Sequence, residues 1–389
     1  MKKLRLSVAI LMGSAILFSA CQKDETSNSE SDPVNFDAAY VVNGESNSIS
    51  VINLSTNKVD KTIDFTNFQN SQGMRPMGMD MSNMWPYHLS LSPDKSKLAI
   101  AAPNMDFSAG YNMMQNTVNA SSSTDSHSQH HGGNTSNNSS VTTTMAGRIL
   151  VLDAVTGELI KEITLEGMAM NAIFSPDGKE LWTAIMMPEG KIKVFDATTY
   201  NLKNTITVGQ MPAEVSFSDD GKKVFVANGM SNTVTVVDAF SKKVLETIEV
   251  GANPVGAWPG MGGMMYVNNE SGQSISMLDV MTNMMTNTLQ LGFTPGMATR
   301  NTMMNQMWVS DPIGGKVQMW TKTATGYMMG GTVTVGSGAS AIAFNQTGTT
   351  CYITNQNDGT VSVVDVATLK EMMKITVGKK PNGIVIRYK

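Results

Sequence analysis

The sequence has 389 residues, a formal net charge of −4 and only 15% charged residues. This length exceeds the size at which most single hydrophobic cores stop growing, so it predicts either two domains or one repetitive architecture. The weakly acidic balance offers no basic surface for nucleic acid. Cys21 and Cys351 are the only two cysteines, which excludes a disulfide framework and the Cys-x-x-Cys-His sequence that attaches haem.

The beginning of the chain is typical of a targeting segment. Lys2, Lys3 and Arg5 form a positive start, and the apolar run over 6–18 is too short to cross a bilayer as a permanent helix. We therefore assign residues 1–20 to a signal peptide.

The end of this segment, Leu-Phe-Ser-Ala-Cys at 17–21, resembles a bacterial lipobox. In a lipobox the cysteine thiol takes a diacylglyceryl group, so the resemblance implies that Cys21 is lipidated and anchors the protein to a membrane. Phe18 departs from the usual leucine of that motif. The alternative is an ordinary signal peptide with an unrelated cysteine.

Residues 21–37 are polar enough to form a flexible tether. Lys-Asp-Glu at 23–25 resembles an export tag with which one group of Gram-negative bacteria sends lipoproteins to the outside of the outer membrane. The expected location is therefore the outer membrane, facing either the periplasm or the cell surface.

A repeat of about forty residues fills most of the remaining chain. Its best-preserved part is an alternating strand that mostly ends in Asp, and seven copies lie at 49–53, 149–153, 192–196, 234–238, 275–279, 317–320 and 361–365. Each copy is followed by a β-rich run that often ends in Val-Gly, and later by a further strand pair that turns at sequences such as Ser-Pro-Asp-Gly. Such turns suit short hairpins, so each repeat predicts four short antiparallel strands.

These repeats resemble the YVTN-type β-propeller repeat over nearly all of 38–389. The resemblance implies an all-β, seven-bladed β-propeller, with four strands in each blade. Residues 381–386 match a first strand with nothing after it, and 39–43 match a second strand with nothing before it. We expect these two segments to pair in one shared blade and close the ring, which hides the strand edges of an open array.

Two insertions, 66–86 and 103–146, interrupt the repeat and flank the same blade. Links from the second to the third strand, and from the fourth strand to the next blade, lie on one face of an antiparallel propeller, which we call the top face. Both insertions are such links. Loops of this length in a regular scaffold are usually functional or disordered.

The insertions are rich in soft metal ligands, and other top loops add seven methionines. Thioethers and imidazoles favour Cu(I) over harder cations, and the pattern resembles the methionine motifs of bacterial copper-handling proteins. The candidate metal ligands are Met74, Met77, Met79, Met81, Met84, Met105, Met113, Met114, His127, His130, His131 and Met145. The additional top-loop methionines are Met168, Met170, Met186, Met187, Met211, Met230 and Met297.

The 33 methionines also have a structural interpretation. Many fall in strands or bottom loops, and methionine fills irregular cores and makes adaptable binding surfaces. Two functions therefore stay open: a copper-binding propeller with an envelope-protein partner, or a surface interaction and adhesion propeller without metal. A third, a dehydrogenase-type propeller with a bound quinone, has no visible residue chemistry. We expect a monomer.

Catalytic patterns are missing from the sequence. It contains no nucleophile with a paired base, no glycine-rich phosphate loop and no paired acids in one loop, which predicts that the chain is not an enzyme. His88 starts an inner strand and has the position of a structural residue. The repeated aspartates at the strand ends suit turns rather than catalysis, and Trp182, Trp258, Trp308 and Trp320 suit the core.

Overall fold

The computed structural model describes residues 32–67, 84–106 and 146–389. The chain divides into two units, Met1–Asp32 and Pro33–Lys389, and all the strands lie in the second. The described residues form seven four-stranded antiparallel sheets and one short 3-10 turn, Phe65–Asn67. This is the predicted all-β, seven-bladed propeller, so the fold class is confirmed. Within the described residues no helix is long and apolar enough to span a membrane.

Blades 1 to 3 follow one another along the chain. In each blade the first strand is the innermost and the fourth is the outermost. Blade 1 holds β4 (Leu89–Leu91), β5 (Lys97–Ala102), β6 (Arg148–Asp153) and β7 (Leu159–Thr164). Blade 2 holds β8 (Ile173–Phe174), β9 (Glu180–Ile185), β10 (Lys191–Asp196) and β11 (Leu202–Thr207). Blade 3 holds β12 (Pro212–Phe217), β13 (Lys223–Asn228), β14 (Thr233–Asp238) and β15 (Val244–Glu249).

The next three blades repeat the same order. Blade 4 holds β16 (Pro254–Pro259), β17 (Met264–Asn269), β18 (Ser274–Asp279) and β19 (Met284–Gln290). Blade 5 holds β20 (Ala298–Asn301), β21 (Gln306–Asp311), β22 (Lys316–Lys322) and β23 (Tyr327–Thr334). Blade 6 holds β24 (Ala339–Phe344), β25 (Thr350–Asn355), β26 (Thr360–Asp365) and β27 (Lys370–Thr376).

Blade 7 joins the two ends of the propeller. Its inner strand is β28 (Pro381–Arg387), which pairs with β1 (Ala38–Asn43), followed by β2 (Ser48–Asn53) and β3 (Lys58–Asp64). Tyr40 lies opposite Val385, and Asn43 lies opposite Pro381. The inner strand β28 also contacts β24 on one side and β4 on the other. The predicted pairing of 381–386 with 39–43 is therefore confirmed.

Burial follows the position of a strand within its blade. Second and third strands are almost entirely buried, whereas a fourth strand such as β15 buries only Ile248. The core fills the spaces between blades, where Phe225 and Val236 of blade 3 pack with Met265 of blade 4. Trp182 and Trp308 are fully buried as expected. Trp320 is partly buried and packs against the core, whereas Trp258 is partly buried and belongs to no core cluster of the described residues, which corrects its assignment to the core.

The repeated sequence signals have local physical causes. Asp238 accepts hydrogen bonds from the backbone N–H groups of Phe240 and Ser241, which lower the pKa of its carboxyl, as expected of a turn residue. Asn228 donates to the hydroxyls of Thr233 and Thr235 across the blade. A Cβ at the Val-Gly glycine Gly209 would lie 2.6 Å from the Asn228 amide carbon, so this close approach needs glycine.

Every blade has a register shift between its third and fourth strands. A bulge of this kind bends the outer strand and increases its twist. The exposed edge of each blade is therefore not flat, which discourages pairing with the edge of another molecule.

Candidate functional site

Most residues predicted from the sequence to be lipidated or to bind metal lie outside the described residues, and their roles stay predictions. They are Cys21, Met74, Met77, Met79, Met81, Met113, Met114, His127, His130, His131 and Met145.

Met84 and Met105 are the two nominated metal ligands that the structure describes. Met84 is fully buried in a core cluster, and its backbone N–H donates to the Asn47 side-chain oxygen over 3.0 Å. Its thioether is thus surrounded by core residues of blades 7 and 1. Met105 is 37% exposed. The end of the first insertion therefore anchors in the core, whereas the start of the second lies at the surface.

Four methionines from three top loops pack together instead. Met168, Met170, Met186 and Met211, which we call the thioether cluster, are buried with Ala213 and Val255, and Tyr87 packs against them. Met168 and Met170 lie in the link before β8, Met186 follows β9, and Met211 precedes β12. The sequence analysis noted these residues on the top face but did not include them among the metal ligands.

Backbone hydrogen bonds hold the loops of the thioether cluster side by side. The N–H of Met186 donates to the carbonyl of Met168 over 2.9 Å, and the N–H of Met211 donates to the carbonyl of Met187 over 2.9 Å. The side chains therefore project from a paired backbone rather than from separate loops. A site built on paired backbone is better ordered than one on free loops.

Next to this cluster, a cavity of about 130 Å³ opens at the top end of the central channel. We call it the channel mouth. Its lining comes from the inner strands and top loops of blades 1 to 6, and Met170 belongs both to it and to the thioether cluster. The polar and aromatic lining residues used below are Tyr87, His88, Glu214, Trp258 and Glu270.

A histidine and a buried glutamate are in contact at the channel mouth. His88 Nδ1 lies 2.5 Å from Glu214 Oε1, and the Glu214 side chain is only 3% exposed. The second carboxylate oxygen, Oε2, has no hydrogen-bond partner among the described residues. The ring of Tyr87 lies against His88, with ring centroids 4.6 Å apart.

Burial is the main cause that raises the pKa of Tyr87, and the charges of Glu214, Glu270 and Asp106 raise it further. The lining of the channel mouth thus carries two carboxylates, those of Glu214 and Glu270. Sequence reasoning missed Glu214. The sequence feature that could have indicated Glu214 is its position as a charged residue in the middle of an inner strand that otherwise reads Pro-Ala-x-Val-Ser-Phe.

Comparison with known proteins agrees with a β-propeller. The family model of the cytochrome d1 haem domain matches residues 120–260. No curated protein sequence matches the chain. The YVTN-type resemblance stays a prediction, because neither the matching family nor the structures named below carry that name.

Solved propellers resemble the whole ring at low identity. A functionally unknown protein from Desulfotomaculum acetoxidans has a TM-score of 0.65 and 13% identity, over 90% of this chain and 99% of its own. The periplasmic gluconolactonase of Pseudomonas aeruginosa has a TM-score of 0.62 and 17% identity, over 90% and 98%. The dihydro-haem d1 dehydrogenase NirN has a TM-score of 0.56 and 12% identity, over 90% and 74%. At these identities the likeness concerns the fold alone.

These neighbours overturn the prediction that the chain is not an enzyme. That prediction rested on missing sequence motifs, yet propellers of the same shape include a gluconolactonase and a dehydrogenase. A propeller assembles its polar residues in the channel from distant blades, so a catalytic group need not form a local motif. The histidine and glutamate pair illustrates this, since its members come from blades 1 and 3.

A haem, which the matching family name implies, does not fit the channel mouth. The lining contains Glu214 and Glu270 and, among the described residues, no lysine or arginine to pair with the carboxylates of a haem. The cavity is also smaller than the roughly 300–1,000 Å³ typical of sites for ligands of that size. Nor do the described residues group three His, Cys, Asp or Glu side chains as a metal site.

Proposed function

We propose that this protein is a lipid-anchored cell-envelope propeller that binds Cu(I) on its top face. The observation that carries the proposal is the thioether cluster, in which four methionines converge from three top loops. Thioether sulfur is a neutral, soft ligand that suits Cu(I) and has little affinity for hard cations. Burial limits the access of water and of competing ligands to such a site.

The ends of both insertions support a shared site. Asn104 donates from its backbone N–H to the carbonyl of Met84 over 2.9 Å, and its side chain donates to the carbonyl of Ala146. Asn104 thus ties the end of the first insertion to both ends of the second. The described ends of both insertions consequently lie in one region of the top face.

The second insertion also ends beside the thioether cluster. The N–H of Gly147 donates to the carbonyl of Gly167 over 3.0 Å, and a Cβ at Gly147 would lie 3.2 Å from Met168 Cα. The described end of the second insertion therefore lies next to the cluster, and the proposal is that loop and cluster supply one Cu(I) ion together.

A competition titration with a Cu(I) chelator under reducing conditions tests this proposal on the full chain in detergent. Replacing the four cluster methionines by leucine, which nearly conserves volume, should weaken Cu(I) binding by roughly tenfold or more, or about 1.4 kcal/mol. The matched control replaces four exposed methionines of β19 and β23, and should leave binding unchanged. The control residues are Met284, Met285, Met328 and Met329.

Each outcome of this titration separates two interpretations. Equal affinity in the cluster variant and the control would remove the cluster from the site and leave the insertions as the ligands. If the intact protein binds no Cu(I), the copper proposal fails, and the interaction and adhesion propeller without metal takes its place.

The proposed location rests on Cys21 and the leader before it. A diacyl-modified cysteine is enough to hold a protein on a membrane. We expect Cys21→Ala to move the protein from the detergent phase to the aqueous phase in a phase-separation assay, with no change in its far-UV circular dichroism. Persistence of this variant in the membrane fraction would show that another segment is the anchor.

A further inference from the structure

The channel mouth contains a buried carboxylate oxygen that has no donor within the described protein. Glu214 is 3% exposed, its Oε1 is bound to His88, and its Oε2 lacks a hydrogen-bond partner. An unpaired, buried carboxylate oxygen is costly, because it has lost its water without gaining a donor. Because Glu214 also lines the cavity, a ligand with N–H or O–H donors that reaches Oε2 would give this oxygen the partner it lacks.

The acidic groups of the lining outnumber its basic ones. Glu270 adds a second carboxylate to that of Glu214, and the described lining includes no lysine or arginine. The hydroxyl and amide groups of Thr294, Ser340 and Gln356 can each donate or accept a hydrogen bond. A ligand that carries N–H donors and a positive charge therefore suits this lining.

The remaining walls favour a small ligand with an apolar part. Met170, Val255 and Met297 line the cavity, and Trp258 offers an aromatic ring of the kind that attracts organic cations. A volume of about 130 Å³ holds on the order of ten water-sized atoms, at about 10–15 Å³ for each, which suits a small ligand. A bare divalent cation fits less well, since no three His, Cys, Asp or Glu side chains group together in the described residues.

We propose that the channel mouth binds a small primary ammonium ion, with Glu214 as its main charged partner. The ammonium group supplies three donors to Glu214 Oε2 and the neighbouring acceptors, while its short carbon chain contacts the methionine and tryptophan walls. This proposal goes beyond copper binding and does not rest on it, because it uses the carboxylates rather than the thioethers.

Isothermal titration calorimetry of the full chain in detergent tests whether binding depends on the positive charge of the ligand. The probes are n-propylammonium chloride and 1-propanol, which have the same shape but differ in charge. We expect the ammonium ion to bind roughly tenfold more tightly or better, as expected of hydrogen bonds to an ionised carboxylate. Equal binding of the two probes, or no binding of propylammonium, would overturn the proposal without any variant being made.

Variants then locate the site. Glu214→Gln keeps the shape and removes the charge, and should weaken propylammonium binding by roughly tenfold or more. The matched control, Glu246→Gln, changes an exposed glutamate of the outer strand β15 and should bind as the parent does. A correctly folded Glu214→Gln protein with unchanged propylammonium affinity would refute the assignment. If calcium chloride displaces propylammonium one for one, the site binds a metal ion, and the ammonium proposal is refuted as well.

The copper titration keeps this proposal separate from the proposed function. Glu214→Gln should retain the Cu(I) affinity of the parent, because it alters no thioether. Loss of both affinities in this variant, with its fold intact, would merge the two sites and contradict the separate ammonium site.

Discussion

Among the described residues, two regions are rich in methionine, and they differ in burial. In the thioether cluster, four methionines from three loops are buried together. On the outer strands β19, β23 and β27, neighbouring methionines are exposed, with Met284 63%, Met328 62% and Met372 54% exposed. Both regions contain several methionines, but only the first packs their side chains into one buried cluster.

The comparison shows that position within a blade decides what a methionine can do. A fourth strand forms the rim of the ring, where no further strand covers it. Pairs such as Met284 and Met285 thus both reach the surface. The top links that carry the thioether cluster, in contrast, bury its four methionine side chains.

The largest expected difference between the two regions is in stability. Met186→Ala should lower the free energy of unfolding by about 2–5 kcal/mol, because it leaves a cavity among buried side chains. Met284→Ala should change it by less than about 0.5 kcal/mol, since the side chain is exposed. Urea unfolding followed by tryptophan fluorescence measures both. Similar losses would mean that the cluster does not pack as a core.

A smaller difference should appear in oxidation by hydrogen peroxide. Thioethers become sulfoxides at rates that follow their exposure, so Met284, Met328 and Met372 should oxidise first. The thioether cluster should react roughly tenfold more slowly, the factor that corresponds to about 1.4 kcal/mol of protection. Peptide mapping by mass spectrometry follows each residue. Equal rates in the folded protein would show that the cluster is open to solvent.

The strands and the closure of the ring were predictable from the sequence because their causes are local. Alternation with a period of two, a tight turn, and an aspartate that binds the following backbone N–H groups recur in each repeat, as at Asp238. The two half-blades complement one another, so the pairing of β28 with β1 follows from the repeat itself.

The candidate sites were less predictable because they depend on contacts between blades. His88 and Glu214 are far apart in sequence, and only the ring brings them to 2.5 Å. Met84 was nominated as a ligand because it lies in a methionine-rich insertion. Its position in the core depends on a hydrogen bond to Asn47 of another blade, which a sequence pattern cannot show.

The pairing of β28 with β1 also constrains the order in which the propeller folds, since it can form only at the end. Six blades of chain separate the two strands, so the entropy of closing this loop is lost before the pairing is gained. Until then, the edge of β1 is an exposed template for other chains. Once β28 lies between β24 and β4, it contacts the inner strands of both neighbouring blades. The pairing of β28 with β1 must then break before either terminal strand of the ring can unfold and be cleaved by a protease.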